Sequence, residues 1–161
     1  MSSRNISAAD VLQRLRAAGL TLCTAESCTG GLLGKLLTDV PGASSVYVGG
    51  VISYTNEVKH RLLGVSRQTL ARYTAVSAET AGEMARGARA QLGADIAVSV
   101  TGLAGPDGDG TGRPVGLVYI ALDRAAGCLV QELHLAGDRA AIREQAAQAV
   151  FALILETLSE P

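Results

Sequence analysis

The stretch Asp95-Ile96-Ala97-Val98-Ser99-Val100-Thr101, read with the two segments that follow it, decides the fold. Its apolar, β-branched run has strand length and predicts a buried strand. Residues Gly102 to Pro114 carry five glycines and two prolines and predict a loop. Beyond the loop, Val115 to Leu122 and Cys128 to Leu135 read as strands separated by five residues, which predicts an antiparallel hairpin. Upstream, strands and helices alternate. Ser7 and Asp10 open a helix that closes at Gly19, and Leu20 to Ala25 is a short strand. Leu32 to Leu37 gives a helical face ending near Pro41, and Val46 to Tyr54 reads as a buried strand containing Gly49-Gly50. Asn56 to Leu63 and Ser66 to Tyr73 are short helices, and Ser77 caps a longer one through Leu92. Ile142, Ala146, Ala149, Val150, Leu153 and Ile154 line one face of a last helix. Helices separate the early strands whereas the last two pair directly. The expected fold is therefore α/β, three layers (α/β/α) around a mixed sheet, in a single domain over residues 1–161.

Composition narrows the function. Of 161 residues 48% are apolar and 18% charged, which excludes disorder as the default. The 26 alanines and 19 glycines allow close packing of elements, and only five residues are aromatic. A net charge of −1 with so few aromatics offers no nucleic-acid surface. No apolar run approaches a membrane span, and Met1 to Ala18 lacks the apolar core of a secretory signal. Cys23, Cys28 and Cys128, with His60 and His134, show neither a disulfide framework nor zinc-ligand spacing. A cytoplasmic protein with reduced thiols and no metal is expected.

Three segments can carry chemistry. Ser27 lies at a strand-to-helix turn, before Cys28, Thr29, Gly30 and Gly31. An acyl-transfer nucleophile needs backbone N–H groups nearby to receive an oxyanion, and such a turn supplies them. The alternative is that Ser27 or Thr29 merely caps the helix. Lys59 stands out because the chain uses 12 arginines and only two lysines. Arginine cannot release its proton near neutrality, whereas a buried lysine can, so Lys59 is a candidate base for a serine. The alternative is a solvated lysine beside His60 and Arg61, and Lys35 is expected to be solvated. The Gly102–Pro114 loop matches neither GxGxxG nor GxxxxGK[ST], and feeds a strand rather than a helix. It is placed at a strand's C-terminal end, where open α/β sheets bind ligands. Arg139 and Arg143, one helical turn apart, can meet a phosphate or pair with Asp138 and Glu144.

Taken together, Glu26-Ser27-Cys28-Thr29-Gly30-Gly31, Pro41-Gly42-Ala43-Ser44, Gly49-Gly50-Val51, Tyr54-Thr55-Asn56-Glu57-Val58-Lys59, Leu63-Gly64-Val65, Ala75-Val76-Ser77, Thr101-Gly102-Leu103-Ala104-Gly105-Pro106 and Pro114-Val115-Gly116 resemble the CinA C-terminal domain family. These are the nicotinamide-nucleotide amidohydrolases, or NMN deamidases. The resemblance runs from about residue 8 to 158 and is strongest to the stand-alone form, since larger members carry a further N-terminal domain. It implies hydrolysis of the carboxamide of nicotinamide mononucleotide, in pyridine-nucleotide recycling, with no cofactor or metal. Ser27 would be the nucleophile, Lys59 its base and Tyr54 a supporting residue. Cys28, Thr29, Gly30, Gly31, Thr101 and Gly102 would border the substrate, Arg143 then Arg139 would meet its phosphate, and a homo-oligomer is expected. The loop from Asp107 to Arg113 departs from the family pattern. The competing expectations are a non-catalytic nucleotide-binding module and a competence or DNA-damage interaction protein.

Overall fold

The computed structural model describes residues 5–160. Strands β1 (Leu22–Glu26), β2 (Tyr47–Ile52), β3 (Ile96–Gly102), β4 (Leu117–Arg124) and β5 (Gly127–His134) form one sheet in the order β2-β1-β3-β4-β5. The first three are parallel and the last two antiparallel, so the mixed α/β sheet is as expected. Six helices flank it: α1 (Ala8–Ala18), α2 (Leu32–Thr38), α3 (Asn56–Leu63), α4 (Arg67–Tyr73), α5 (Ala78–Leu92) and α6 (Arg139–Ser159).

The two faces of the sheet differ in kind. Leu22, Ile96, Val98, Val100, Val118, Ile120 and Leu122 pack under α1, α2 and α6 with Leu12, Leu15, Leu33, Ile142, Val150 and Phe151. Each such side chain, when fully buried, contributes about 1.5–3 kcal/mol. On the opposite face Cys23, Ala25, Ala97 and Ala121 meet Ala81, Met84, Ala85 and Ala88 of α5. These small residues explain the alanine-rich composition, because they let α5 lie close to the strands. Caps follow the sequence: Ser7 and Asp10 form a capping box, and Ser66, Ser77 and Asp138 each accept an N–H at the start of α4, α5 and α6.

Two expectations are corrected. Val46 to Tyr54 is not a fully buried strand. Its core, β2, pairs only with β1 and alternates half-buried and exposed positions, with Val48 and Ile52 about half exposed. The hairpin is longer and tighter than five linking residues suggest. Arg124 pairs with Gly127, which leaves Ala125 and Ala126 as the turn. Among the described residues no helix is long and apolar enough to cross a membrane.

Candidate active site

The C-terminal ends of the parallel strands β1 and β3 open onto a cavity of about 310 Å³. That is a size suited to a small molecule. Its lining includes Ser27 and Cys28 after β1, Tyr54 and Lys59 after β2, and Thr101 and Gly102 at the end of β3. Leu103, Ala104, Gly105, Asp107 and Asp109 come from the glycine-rich loop, and Arg139 from the first turn of α6. The loop thus sits where the sequence places it, at a strand's C-terminal end.

Ser27 is positioned by the sheet itself. Its N–H donates to the Val100 carbonyl at 3.0 Å, extending the β1–β3 ladder by one residue. Its carbonyl accepts from Gly30 N–H at 3.0 Å, closing a tight turn. Gly31, the N-cap position of α2, has φ 106°, which favours glycine. Neither Ser27 nor Thr29 caps α2. That work falls to Glu26, which is 2% exposed and accepts from Leu33 N–H at 2.9 Å and Gly34 N–H at 3.1 Å. Glu26 lies outside the sequence-derived site. Its signals there are its place at the head of the Glu26–Gly31 motif and an ionisable side chain ending the apolar run of β1.

Lys59 is not solvated. Thr55 caps α3, and Lys59 points inward from its first turn with 1% of its surface exposed. Its Nζ donates to Ser27 Oγ at 2.9 Å and to the Ser53 carbonyl at 2.6 Å, with the Tyr54 carbonyl at 3.4 Å. Among the described residues it has no carboxylate within ion-pair distance. Burial disfavours its charge and lowers its pKa from 10.5 to about 8. Lys35, by contrast, is exposed and pairs with Asp39 at 2.6 Å. Burial pushes the neighbouring Cys28 thiol up to about 11, so it stays protonated and unreactive beside Ser27.

The remaining predicted residues divide. Thr101 is buried and donates to the Ala75 carbonyl at 2.7 Å, holding the loop that ends at Val76 against β3. Tyr54 is exposed at the rim, where its Oη accepts from Arg139 at 3.3 Å. Arg139 also donates to the Gly105 carbonyl at 2.7 Å, which ties α6 to the loop. Thr29, Gly30 and Gly31, expected to border the substrate, do not line the cavity, because the turn carries them away behind Cys28, and Arg143 does not line it either. Its Nε donates to the Cys28 carbonyl at 3.1 Å and its Nη2 to the Thr29 carbonyl at 2.9 Å. Asp138 is the α6 cap, and neither arginine pairs with Asp138 or Glu144 among the described residues. Gly30 N–H is engaged by Ser27, which removes it as an oxyanion donor. The N–H groups of Cys28 and Thr29 have no intramolecular partner among the described residues. No group of three or more metal-ligating side chains occurs among them either.

The fold and this cavity define a three-layer α/β protein in which a buried lysine meets a serine beyond the strand ends. The chain belongs to the CinA C-terminal domain family, whose model matches residues 4–158. It is 53% identical over 133 residues to a CinA-like protein of Geobacter sulfurreducens, covering 83% of this chain and 32% of that protein. The chain therefore spans about a third of the length of that curated relative. Among solved structures it resembles a competence-damaged protein (CinA) superfamily protein from Escherichia coli, with TM-score 0.92 and 34% identity, covering 98% of this chain and 94% of that one. A competence/damage inducible protein from Agrobacterium tumefaciens gives TM-score 0.89 and 39% identity, covering 95% and 93%.

Proposed function

We propose that this chain hydrolyses the carboxamide of nicotinamide mononucleotide to nicotinate mononucleotide and ammonia, with Ser27 as nucleophile and Lys59 as general base. What carries the reading is Lys59 Nζ, buried and lacking a carboxylate partner, 2.9 Å from Ser27 Oγ in the wall of the cavity. A general base must lie within hydrogen-bond reach of its proton and be neutral for part of the time. With a pKa of about 8, roughly a quarter of Lys59 is neutral at pH 7.5.

In this mechanism neutral Lys59 takes the Ser27 proton as Oγ bonds to the carboxamide carbon. The carbonyl π pair moves onto oxygen, and the unpartnered N–H of Cys28, which lines the cavity, receives that oxyanion. One such donor is worth about 3 kcal/mol in acyl transfer. Collapse breaks the C–N bond, and the Lys59 ammonium returns its proton to the departing nitrogen, which leaves as ammonia. Lys59 then deprotonates water, which attacks the ester. Ser27 departs with that proton and nicotinate mononucleotide is released.

Charge along the cavity supports the same substrate. Arg139 lines it and spends two of its five N–H donors on Gly105 and Tyr54, leaving others for phosphate. Asp107 and Asp109 add negative charge suited to a cationic pyridine ring. The test is equimolar appearance of ammonia and nicotinate mononucleotide with the folded wild-type chain. A folded chain that binds the nucleotide and releases neither is a binding module, and the proposal fails.

A further inference from the structure

Arg143 sits one turn beyond Arg139 on α6, yet its guanidinium reaches away from the cavity into the turn after Ser27. It grips two successive carbonyls, Cys28 at 3.1 Å and Thr29 at 2.9 Å. A planar guanidinium can hold both at once, which a single ammonium does less well. In a planar trans peptide the N–H points opposite to the C=O. Fixing the Thr29 carbonyl therefore fixes the Gly30 N–H, directed away from Arg143, and that N–H donates to the Ser27 carbonyl at 3.0 Å. A cation on the carbonyl oxygen also draws electron density through the amide and makes its N–H a stronger donor, as hydrogen-bonded chains polarise one another. The Cys28 N–H, unpartnered among the described residues and on a residue that lines the cavity, belongs to the peptide whose carbonyl Gly30 holds. The chain of contacts from Arg143 through Gly30 thus ends on an unpartnered donor beside the nucleophile. Gly30 itself has φ 57°, in the left-handed region that favours glycine.

We propose that Arg143 is a positioning residue for the oxyanion site: through the Thr29 carbonyl, the Gly30 N–H and the Ser27 carbonyl it orients and polarises the Ser27–Cys28 peptide so that the Cys28 N–H receives the developing negative charge. The inference rests on the assignment of Ser27 as nucleophile. It gives the two α6 arginines different work, Arg139 on substrate phosphate and Arg143 on the backbone that stabilises the transition state.

The experiment compares wild type, Arg143→Ala and Arg143→Lys on nicotinamide mononucleotide and on its dephosphorylated riboside. Arg143→Ala is expected to lower kcat about 100-fold, the scale of one lost oxyanion donor, with KM changed less than about threefold. Its preference for nucleotide over riboside stays at the wild-type value. Added guanidinium ion, far below unfolding concentrations, restores part of kcat, and Arg143→Lys falls between. A raised KM for the nucleotide with kcat preserved, and a collapsed preference over the riboside, would overturn the proposal by making Arg143 a phosphate ligand. Absence of wild-type turnover removes the proposed substrate but not this inference. Ser27 labelling by a fluorophosphonate then carries the test, since that reagent also builds negative charge on an oxygen. Slower labelling of Arg143→Ala by the same order sustains the inference, and labelling at the wild-type rate overturns it.

Discussion

Gly87 of α5 lies against the backbone of Leu63 at the end of α3, so closely that a Cβ at position 87 would stand 1.7 Å from the Leu63 carbonyl oxygen. The missing side chain lets α3 sit on α5, and α3 carries Lys59. Contact between these helices therefore bears on where the Lys59 ammonium meets Ser27.

From that contact, Gly87→Ala is expected to be destabilising although the position is helical. Helix propensity alone favours alanine over glycine by about 1 kcal/mol. The clash is with backbone rather than a flexible side chain, and overpacking of this kind costs about 1–3 kcal/mol. The net sign is loss of stability, read as a lower denaturation midpoint, together with reduced turnover as α3 is displaced. An equal or raised midpoint would show that the two helices separate freely.

Because burial lowers the Lys59 pKa to about 8, activity should rise with pH. In the free enzyme the neutral amine is the competent form, so kcat/KM is expected to climb tenfold per pH unit below about 8 and level off above it. Stability carries the same signature. Between about 8 and 10.5 the unfolded chain holds more protons on Lys59 than the folded one, so this residue's contribution to stability rises with pH. The buried thiols of Cys23 and Cys28, raised to about 12 and 11, act in the opposite sense as pH climbs above their ordinary value of 9. The comparison is therefore with Lys59→Met, in which the cysteine effects cancel. Any stability advantage of Lys59→Met should shrink by up to about 1.4 kcal/mol per pH unit across that window. A flat activity profile from pH 6 to 9 would contradict the lysine as base.

Glu26 predicts a structural loss with a functional consequence. Its carboxylate accepts two N–H groups at the start of α2, and bonds of this charge-assisted kind are worth about 1.5–3 kcal/mol each. Glu26→Ala should cost about 3 kcal/mol or more in denaturant unfolding at unchanged m, and lower kcat by loosening the turn that holds Ser27. Glu26→Gln, which keeps one acceptor oxygen, should lie between the two. An unchanged midpoint in Glu26→Ala would show that the helix start is held by other means.

These residues also mark how far the sequence could be read. The Asp95–Thr101 strand, the hairpin and the serine caps depend on local pattern, and they appear within a residue or two. Lys59 was singled out by the scarcity of lysine and Ser27 by its place at a glycine-bounded turn, but local pattern left a solvated lysine and a capping serine open, and the family resemblance gave them their roles. Glu26 was not singled out, because its partners Leu33 and Gly34 are brought back to it by the turn, and no local preference encodes that return. The edge position of β2 was hidden for a similar reason. Tyr47 to Ile52 has the composition of a buried strand, and only the sheet order reveals that one side lacks a neighbour. Arg139 and Arg143 look equivalent along the chain. Which one faces the cavity is set by how α6 crosses the Ser27 turn.

Arg139 offers a test of substrate polarity. In the proposed reading its free donors meet phosphate, so Arg139→Ala should raise KM for nicotinamide mononucleotide about 10-fold or more, the worth of one charge-assisted contact, with a smaller change in kcat. The riboside should be affected far less, since it lacks the phosphate. Equal losses on both substrates would instead point to collapse of the loop that Arg139 ties through Gly105.

The proposed reaction depends most directly on the Ser27–Lys59 pair, and one measurement addresses it: ammonia release from nicotinamide mononucleotide by wild type, Ser27→Ala and Lys59→Ala, each shown to be folded by an unchanged far-ultraviolet spectrum. The predicted result is turnover by wild type and a loss of about 10⁴-fold or more in each variant, with the two changes combined costing little beyond either alone, as expected for groups that act as a unit. Turnover at the wild-type rate in either folded variant would contradict the assignment of that residue.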